Sequence, residues 1–438
     1  QLALNGDLVM ARGWLERAAS PLEGSPTSPG LGWFLLTRAA LGAGPGAGSG
    51  AAQDAAGRAL ELARSAGDHD LEVSALAIAG RAAVNEGRVE EGMALLREAM
   101  GAVSGGEPLD ATAVADVFCL ALEAADLARE YALASGWVRD VARWYGGSPS
   151  PYVAGQCRTT WASVLIAQGR WPEPEAQLIA AIRLYERGHR GLSGHAIARL
   201  AERGFRRGAL DEAEEILCQL EGRPESLFPS ALLQLRKGRP AAALVLLERI
   251  LPPGPLTLAS LPAVELAIDA LLATGQVERA GGWAGRLSAL AAGSGSRVLQ
   301  AEAKSAEGRV ATAVGDLEGA AFLLSEAARL RPDAASPLAA RIQLELGRVL
   351  APEDPAGSTL RAQAALRGFQ RLGLPWEAHQ AAELLRSLGE GTGPTPASGA
   401  RGAMPRSAPQ GIRLPEDPAV LTDVLAAVVA ALEDQLPD

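Results

Sequence analysis

The chain is poor in the residues that build sheets, membrane spans, and redox or metal centres. Aromatic residues are 4% of its 438 positions, and strand formers never cluster in alternating runs, which leaves no signal for a sheet. No apolar run reaches the roughly 18–20 residues of a membrane helix. The stretch that comes closest, VLTDVLAAVVAALEDQL at 420–436, carries Asp423, Glu433 and Asp434. Lysine occurs only at Lys237 and Lys304, so the positive charge is almost all arginine, and the net charge of −10 argues against a broad nucleic-acid surface. Cysteine occurs at Cys119, Cys157 and Cys218, an odd number without CxxC spacing, which predicts a reduced, cytoplasmic protein rather than a disulfide framework. The opening QLALNGDLVMARGWLERA lacks the basic-then-apolar plan of a signal peptide. It also begins without Met and already inside a repeat-like pattern, so we read the chain as a piece of something longer.

What is abundant is alanine, leucine and glycine, in a pattern that recurs. QGRWPEPEAQL at 168–178 is echoed by RGALDEAEEIL at 207–217, KGRPAAALVLL at 237–247, TGQVERAGGWA at 274–284 and VGDLEGAAFLL at 314–324. NGDLVMARGWL at 5–15 and EGRVEEGMALL at 86–96 are further copies. Each has a glycine, in most copies a small residue five places on, and an apolar or small residue nine places on. The glycines are Gly6, Gly87, Gly169, Gly208, Gly238, Gly275 and Gly315, with weaker turns expected near Gly357 and Gly373. From Gly169 the gaps are 39, 30, 37 and 40; the two earlier gaps, 81 and 82, each conceal a degenerate copy. A period near 40 belongs to helical solenoids. Each unit reads as two helices, the first ending at a glycine whose left-handed cap needs no Cβ. Pro172 and Pro240 suit the first turn of the second helix, and acids such as Glu90, Glu91, Asp211 and Glu212 favour its dipole. The residue at +5 (Ala11, Gly92, Ala213, Ala243, Ala280, Ala320, Ala378) is expected where paired helices touch, and the one at +9 (Leu15, Leu96, Leu178, Leu217, Leu247, Leu324) in the groove against the next pair.

In the copy GRVATAVGDLEGAAFLLSEAARLRP at 308–332, Gly308, Gly315-Asp316, Ala320, Leu324, Ala327 and Pro332 fall at the small, turn, small, large, small and proline positions of the tetratricopeptide (TPR) repeat, which the chain resembles over about 1–388. It departs from that family in lacking most of the early Trp and Tyr and in placing Pro174 where a small alanine belongs. The longer period, and CRTTWASVLIAQGRWPEPEAQLIAAIRLYERGHRG at 157–191 above all, resemble the helical region of large LuxR/MalT-type bacterial transcriptional regulators. The resemblance implies an all-α, right-handed TPR-like superhelical solenoid of about 9–10 helix pairs, with its first helices concave. It also implies a non-enzymatic sensing scaffold, the arm of a LuxR-type regulator; the alternative is a general TPR adaptor that binds a peptide segment in an assembly. From Gly389 the apolar period ends. Residues 389–417 read as a Gly/Pro/Ala/Ser linker and 418–438 as an acidic amphipathic helix. The helix-turn-helix motif and upstream nucleotide-binding motif of such regulators are not found in the sequence.

The reactive-looking residues form no pattern. GAGPGAGSG lacks the strand-to-helix setting of a phosphate loop and reads as a loop between helices. Cys157, expected to start a helix, with His189 and His195, lacks CxxC, HExxH or HxxEH spacing. The paired acids Glu90-Glu91, Glu173/Glu175, Glu212/Glu214/Glu215 and Glu353-Asp354 all stand at or after turns, and most of the eight tryptophans fall in helical stripes that read as core. No catalytic, cofactor or metal residue is therefore expected. The candidate binding residues are Arg158, Arg199, Arg203 and Arg236, on consecutive first helices. They are expected to form a concave row for an acidic peptide or small anionic effector, with no nucleic acid or membrane contact.

Overall fold

The computed structural model describes residues 7–42, 49–108, 110–144, 151–167, 173–330 and 336–389. The expected linker at 389–417, apart from Gly389, the expected helix at 418–438, and the turns at Gly6 and Gly169 lie outside these residues. The described chain is α-helix and coil, with two short 3-10 turns at Pro224–Ser226 and Leu258–Ser260. Helix α1 spans Leu8–Glu23 and α2 Pro29–Gly42, followed by α3 (Ser49–Ala66), α4 (His69–Asn85), α5 (Val89–Gly105), α6 (Ala111–Leu127) and α7 (Tyr131–Trp144). The middle of the array is α8 (Pro151–Ala167), α9 (Glu173–Glu186), α10 (Arg190–Arg206), α11 (Leu210–Cys218), α12 (Leu227–Arg236) and α13 (Pro240–Leu247). It ends with α14 (Leu261–Ala273), α15 (Val277–Ala292), α16 (Arg297–Val314), α17 (Leu317–Leu330), α18 (Pro337–Leu350), α19 (Pro355–Arg371) and α20 (Pro375–Ser387). Each helix packs on the next, and the even-numbered helices also touch the next even one from α2 to α8 and again from α10 to α20. The even helices are therefore one layer of a stack and the odd helices the other. Among the described residues nine pairs, α2–α3 to α18–α19, stand between α1 and α20: a TPR-like superhelical solenoid.

The repeat positions explain the packing. The turns after α4, α10, α12, α14, α16 and α19 are closed by Gly87, Gly208, Gly238, Gly275, Gly315 and Gly373, all at positive φ. Gly92, Ala213, Ala243, Ala280 and Ala320 are buried at +5, and Leu96, Leu178, Leu217, Leu247 and Leu324 at +9. At Gly92 the helices meet without room for a side chain: a Cβ there would lie 2.4 Å from the Gly80 carbonyl oxygen. The degenerate copy between Gly87 and Gly169 is the α6–α7 pair. Its turn residue is Arg129, at φ 59°, the one non-glycine at positive φ among the described residues. Gly357, in contrast, is no turn. It lies in the first turn of α19, where its N–H donates to Asp354 Oδ1 at 2.9 Å, and the chain reverses earlier, at 351–354.

The stack winds back on itself. The backbone N–H of Ala259, just before α14, donates to Asn85 Oδ1 at the end of α4 at 3.1 Å. A Cβ on Gly87 would stand 2.7 Å from Leu290 of α15, and one on Gly208 3.8 Å from Pro375 of α20. Successive turns of the superhelix, four or five helix pairs apart, are in contact.

Candidate functional site: the inner face of the superhelix

Charged side chains from the even helices meet across this winding. Arg199 and Arg206 of α10 flank Glu202, which takes Arg206 at 2.7 Å and Arg199 at 3.9 Å. Arg199 also donates to Asp126 Oδ2 of α6 at 3.0 Å, and Ser163 of α8 donates to the same carboxylate at 3.2 Å. Asp269 of α14 holds both Arg309 of α16 and Arg341 of α18. Two pairs bridge whole turns: Arg129 lies 2.8 Å from Glu302 of α16, and Arg236 of α12 lies 2.5 Å from Glu377 of α20. The Trp376 ring covers the Arg236 guanidinium at 3.8 Å.

The shifts follow from enclosure. Burial opposes charge on Asp269 and Glu202, but facing arginines (Arg341 and Arg309; Arg206 and Arg199) overcome it and hold both carboxyls below their ordinary range. Glu302 raises Arg129, and Asp126 raises Arg199. Burial lowers Arg236, with Glu377 only partly offsetting it, and burial together with Arg341 lowers Arg309. Arg199 is enclosed by protein on its sides, yet its side chain keeps 43% exposure. It is thus part-exposed beside the Asp126 and Glu202 carboxylates.

The four arginines expected as one row are split by the structure. Only Arg199 is open to water. Arg236 is taken up by Glu377 and Trp376. Arg158 and Arg203 are buried and turn toward α9, in the other layer. There Arg158 donates to Gln177 Oε1 at 2.8 Å and Arg203 pairs with Glu175 at 2.7 Å; burial lowers both. The continuous cationic stripe is thus replaced by paired charges. Arg129, Arg309 and Arg341 were not legible as site residues, because their partners lie far away in sequence, up to 173 residues for Arg129 and Glu302.

Of the reactive-looking residues, Cys157 is buried and His189 is stacked on a neighbouring ring, whereas His195 is exposed. Cys157 lies mid-way along α8, not at its start, and burial pushes its thiol up to about 12. Burial likewise raises Cys119. His189 caps α10 with its ring stacked on Tyr152 at 5.5 Å, and burial lowers it. Among the described residues no group of three His, Cys, Asp or Glu could hold a metal ion, and no helix is long and apolar enough to cross a membrane. Of the tryptophans, Trp137 and Trp161 are core, whereas Trp14, Trp33, Trp144 and Trp376 are part-exposed, Trp144 with its ring against buried Phe118.

No family model and no curated protein matches the sequence. Among solved structures the chain is similar to the human IFIT1 dimer with PPP-AAAA, at 14% identity and TM-score 0.47, over 77% of this chain and 81% of that one. It is also similar to the P58(IPK) TPR domain, at 14% identity and TM-score 0.21, over 88% of this chain and 97% of that one. A circular tandem repeat protein is similar at 13% identity and TM-score 0.24, over 88% of this chain and 94% of that one.

Proposed function

We propose that the chain is a non-enzymatic interaction scaffold whose inner face receives an acidic peptide segment or an anionic effector. The reading rests on one observation: an extended face of even helices lined with guanidinium–carboxylate pairs, with Arg199 part-exposed among them. Such pairs exchange partners at low net cost, since an incoming carboxylate replaces an internal one. Arg199 is the member an incoming anion reaches first. The finer reading, a sensing arm of a LuxR-type regulator in the cytoplasm, is supported by the resemblance of 157–191 alone; a helix-turn-helix in the same reading frame would support it further. The test of the scaffold is co-purification from the source cell with wild-type and Arg199→Ala protein, across a salt series. A partner whose retention falls with salt and is lost in the variant supports the reading. Identical partners with identical salt sensitivity would leave the inner arginines as internal struts only.

A further inference from the structure

Helix pair α12–α13 breaks the pattern of its neighbours. Helix α13 has 8 residues, where α15 has 16 and α17 has 14. Beyond Leu247 the chain passes into LPPGPL at 251–256, whose prolines cannot continue a helix. The missing turns leave a cleft of about 470 Å³ between α13, α14 and α15. Its floor is apolar, with Leu244 and Leu271 buried there and the Trp283 ring forming a wall.

Its rim is cationic. Arg286 lies 4.1 Å from the Trp283 ring centroid and donates to the backbone carbonyls of Pro252, at 3.2 Å, and Gly254, so the proline loop fixes it. Arg279 pairs with Glu248 at 2.7 Å and donates to Gln276 at 2.6 Å. Arg249 is exposed and has no ion-pair partner among the described residues. Three guanidinium groups thus face one carboxylate around an apolar floor, in a chain of net charge −10. Surplus positive charge beside apolar surface suits a ligand with both characters, and a guanidinium fork matches a planar carboxylate.

We propose that this cleft binds an amphiphilic carboxylate. Its apolar body lies against Leu244, Leu271 and Trp283, and its carboxylate between Arg249 and Arg279. The chemistry has two sources, a free small acid or the C-terminal carboxylate of a peptide ending in an apolar residue. Calorimetry on the full chain uses indole-3-propionate and N-acetyl-glycyl-glycyl-leucine, each beside its C-terminal amide. At least one acid is expected to bind saturably, with its amide weaker by about tenfold or more. The tighter acid identifies the source. Arg249→Gln is expected to weaken the bound acid by about tenfold at unchanged melting temperature, because Arg249 is exposed and unpaired. Trp283→Leu weakens acid and amide alike. The proposal is overturned if neither acid saturates at millimolar concentration, if acid and amide bind equally, or if Arg249→Gln binds as wild type does.

Discussion

Arg129 stands where the repeat elsewhere puts glycine, and its backbone is held at φ 59°. A side chain in that region costs about 1–2 kcal/mol, so something must offset it. The Glu302 carboxylate, 5% exposed, lies 2.8 Å from the guanidinium. Removing one member of such a pair leaves a buried charge, at a cost of about 3–5 kcal/mol. Arg129→Gly is therefore expected to destabilise although it relieves the backbone, and Arg129→Gly with Glu302→Gln to recover most of the loss. Urea denaturation of the two single variants and the double one measures this; additive losses would show that the pair does not hold the turn. Asp116 on α6 is the opposite case. Burial pushes its carboxyl up to about 6 from an ordinary 3.8. The folded state thus binds the proton more tightly than the unfolded one, so stability falls as pH rises from about 3.8 through about 6 and stays reduced above that. Asp116→Asn is expected to match the wild type near pH 4 and to exceed it at pH 7 by up to about 3 kcal/mol. A stability difference that does not change with pH would mean the carboxyl is solvated.

Within the element, the sequence was most legible where local chemistry decides. The turn glycines, the small +5 positions and the leucines at +9 follow from the geometry of one helix pair, so seven aligned fragments suffice to find them. Gly357 was misread because a glycine near the expected spacing looks the same as a cap; Asp354 at the N-cap of α19 was the overriding signal. The α6–α7 turn was legible only as a doubled gap, since Arg129 carries no local mark of a left-handed residue. Close approach of paired helices gives the sharpest test. Gly92→Ala gains up to about 1 kcal/mol in helix propensity, but its Cβ would meet the Gly80 carbonyl at 2.4 Å and the Val84 backbone nitrogen at 2.7 Å. Backbone cannot move aside cheaply, so a net loss of about 1–3 kcal/mol is expected. Ala320→Leu, at a fully buried position, should lose more than Ala328→Leu, at a partly exposed one. Thermal melts of the three variants decide it, and a Gly92→Ala protein as stable as wild type would mean that α4 and α5 pack further apart.

At the scale of the whole molecule, the winding was not legible. Each pair is rotated slightly against the next, and the sum of many small rotations, not any motif, brings Asn85 to residue 259 and Arg236 to Glu377. In a solenoid each unit is stabilised by its neighbours. Helix content and overall shape should therefore separate. Removing residues 390–438 is expected to leave the melting temperature within a few degrees of wild type, because the apolar period of the sequence ends at Gly389; a larger fall would place the tail on the array. Contacts between turns test the shape itself. Neutralising Arg129, Glu302, Arg236 and Glu377 together, with Met for each arginine and Gln for each glutamate, avoids leaving an unpaired buried charge. Helix content by circular dichroism should be unchanged, because pair-to-pair packing is untouched. The radius of gyration from small-angle scattering should rise, because the two bridges that draw α16 to the α6–α7 turn and α20 to α12 are gone. Superimposable scattering curves for the variant and wild type would show that apolar contacts such as Leu290 against Gly87 close the superhelix by themselves. The ion pairs of the inner face would then be free to exchange with a ligand without any change in the shape that presents them.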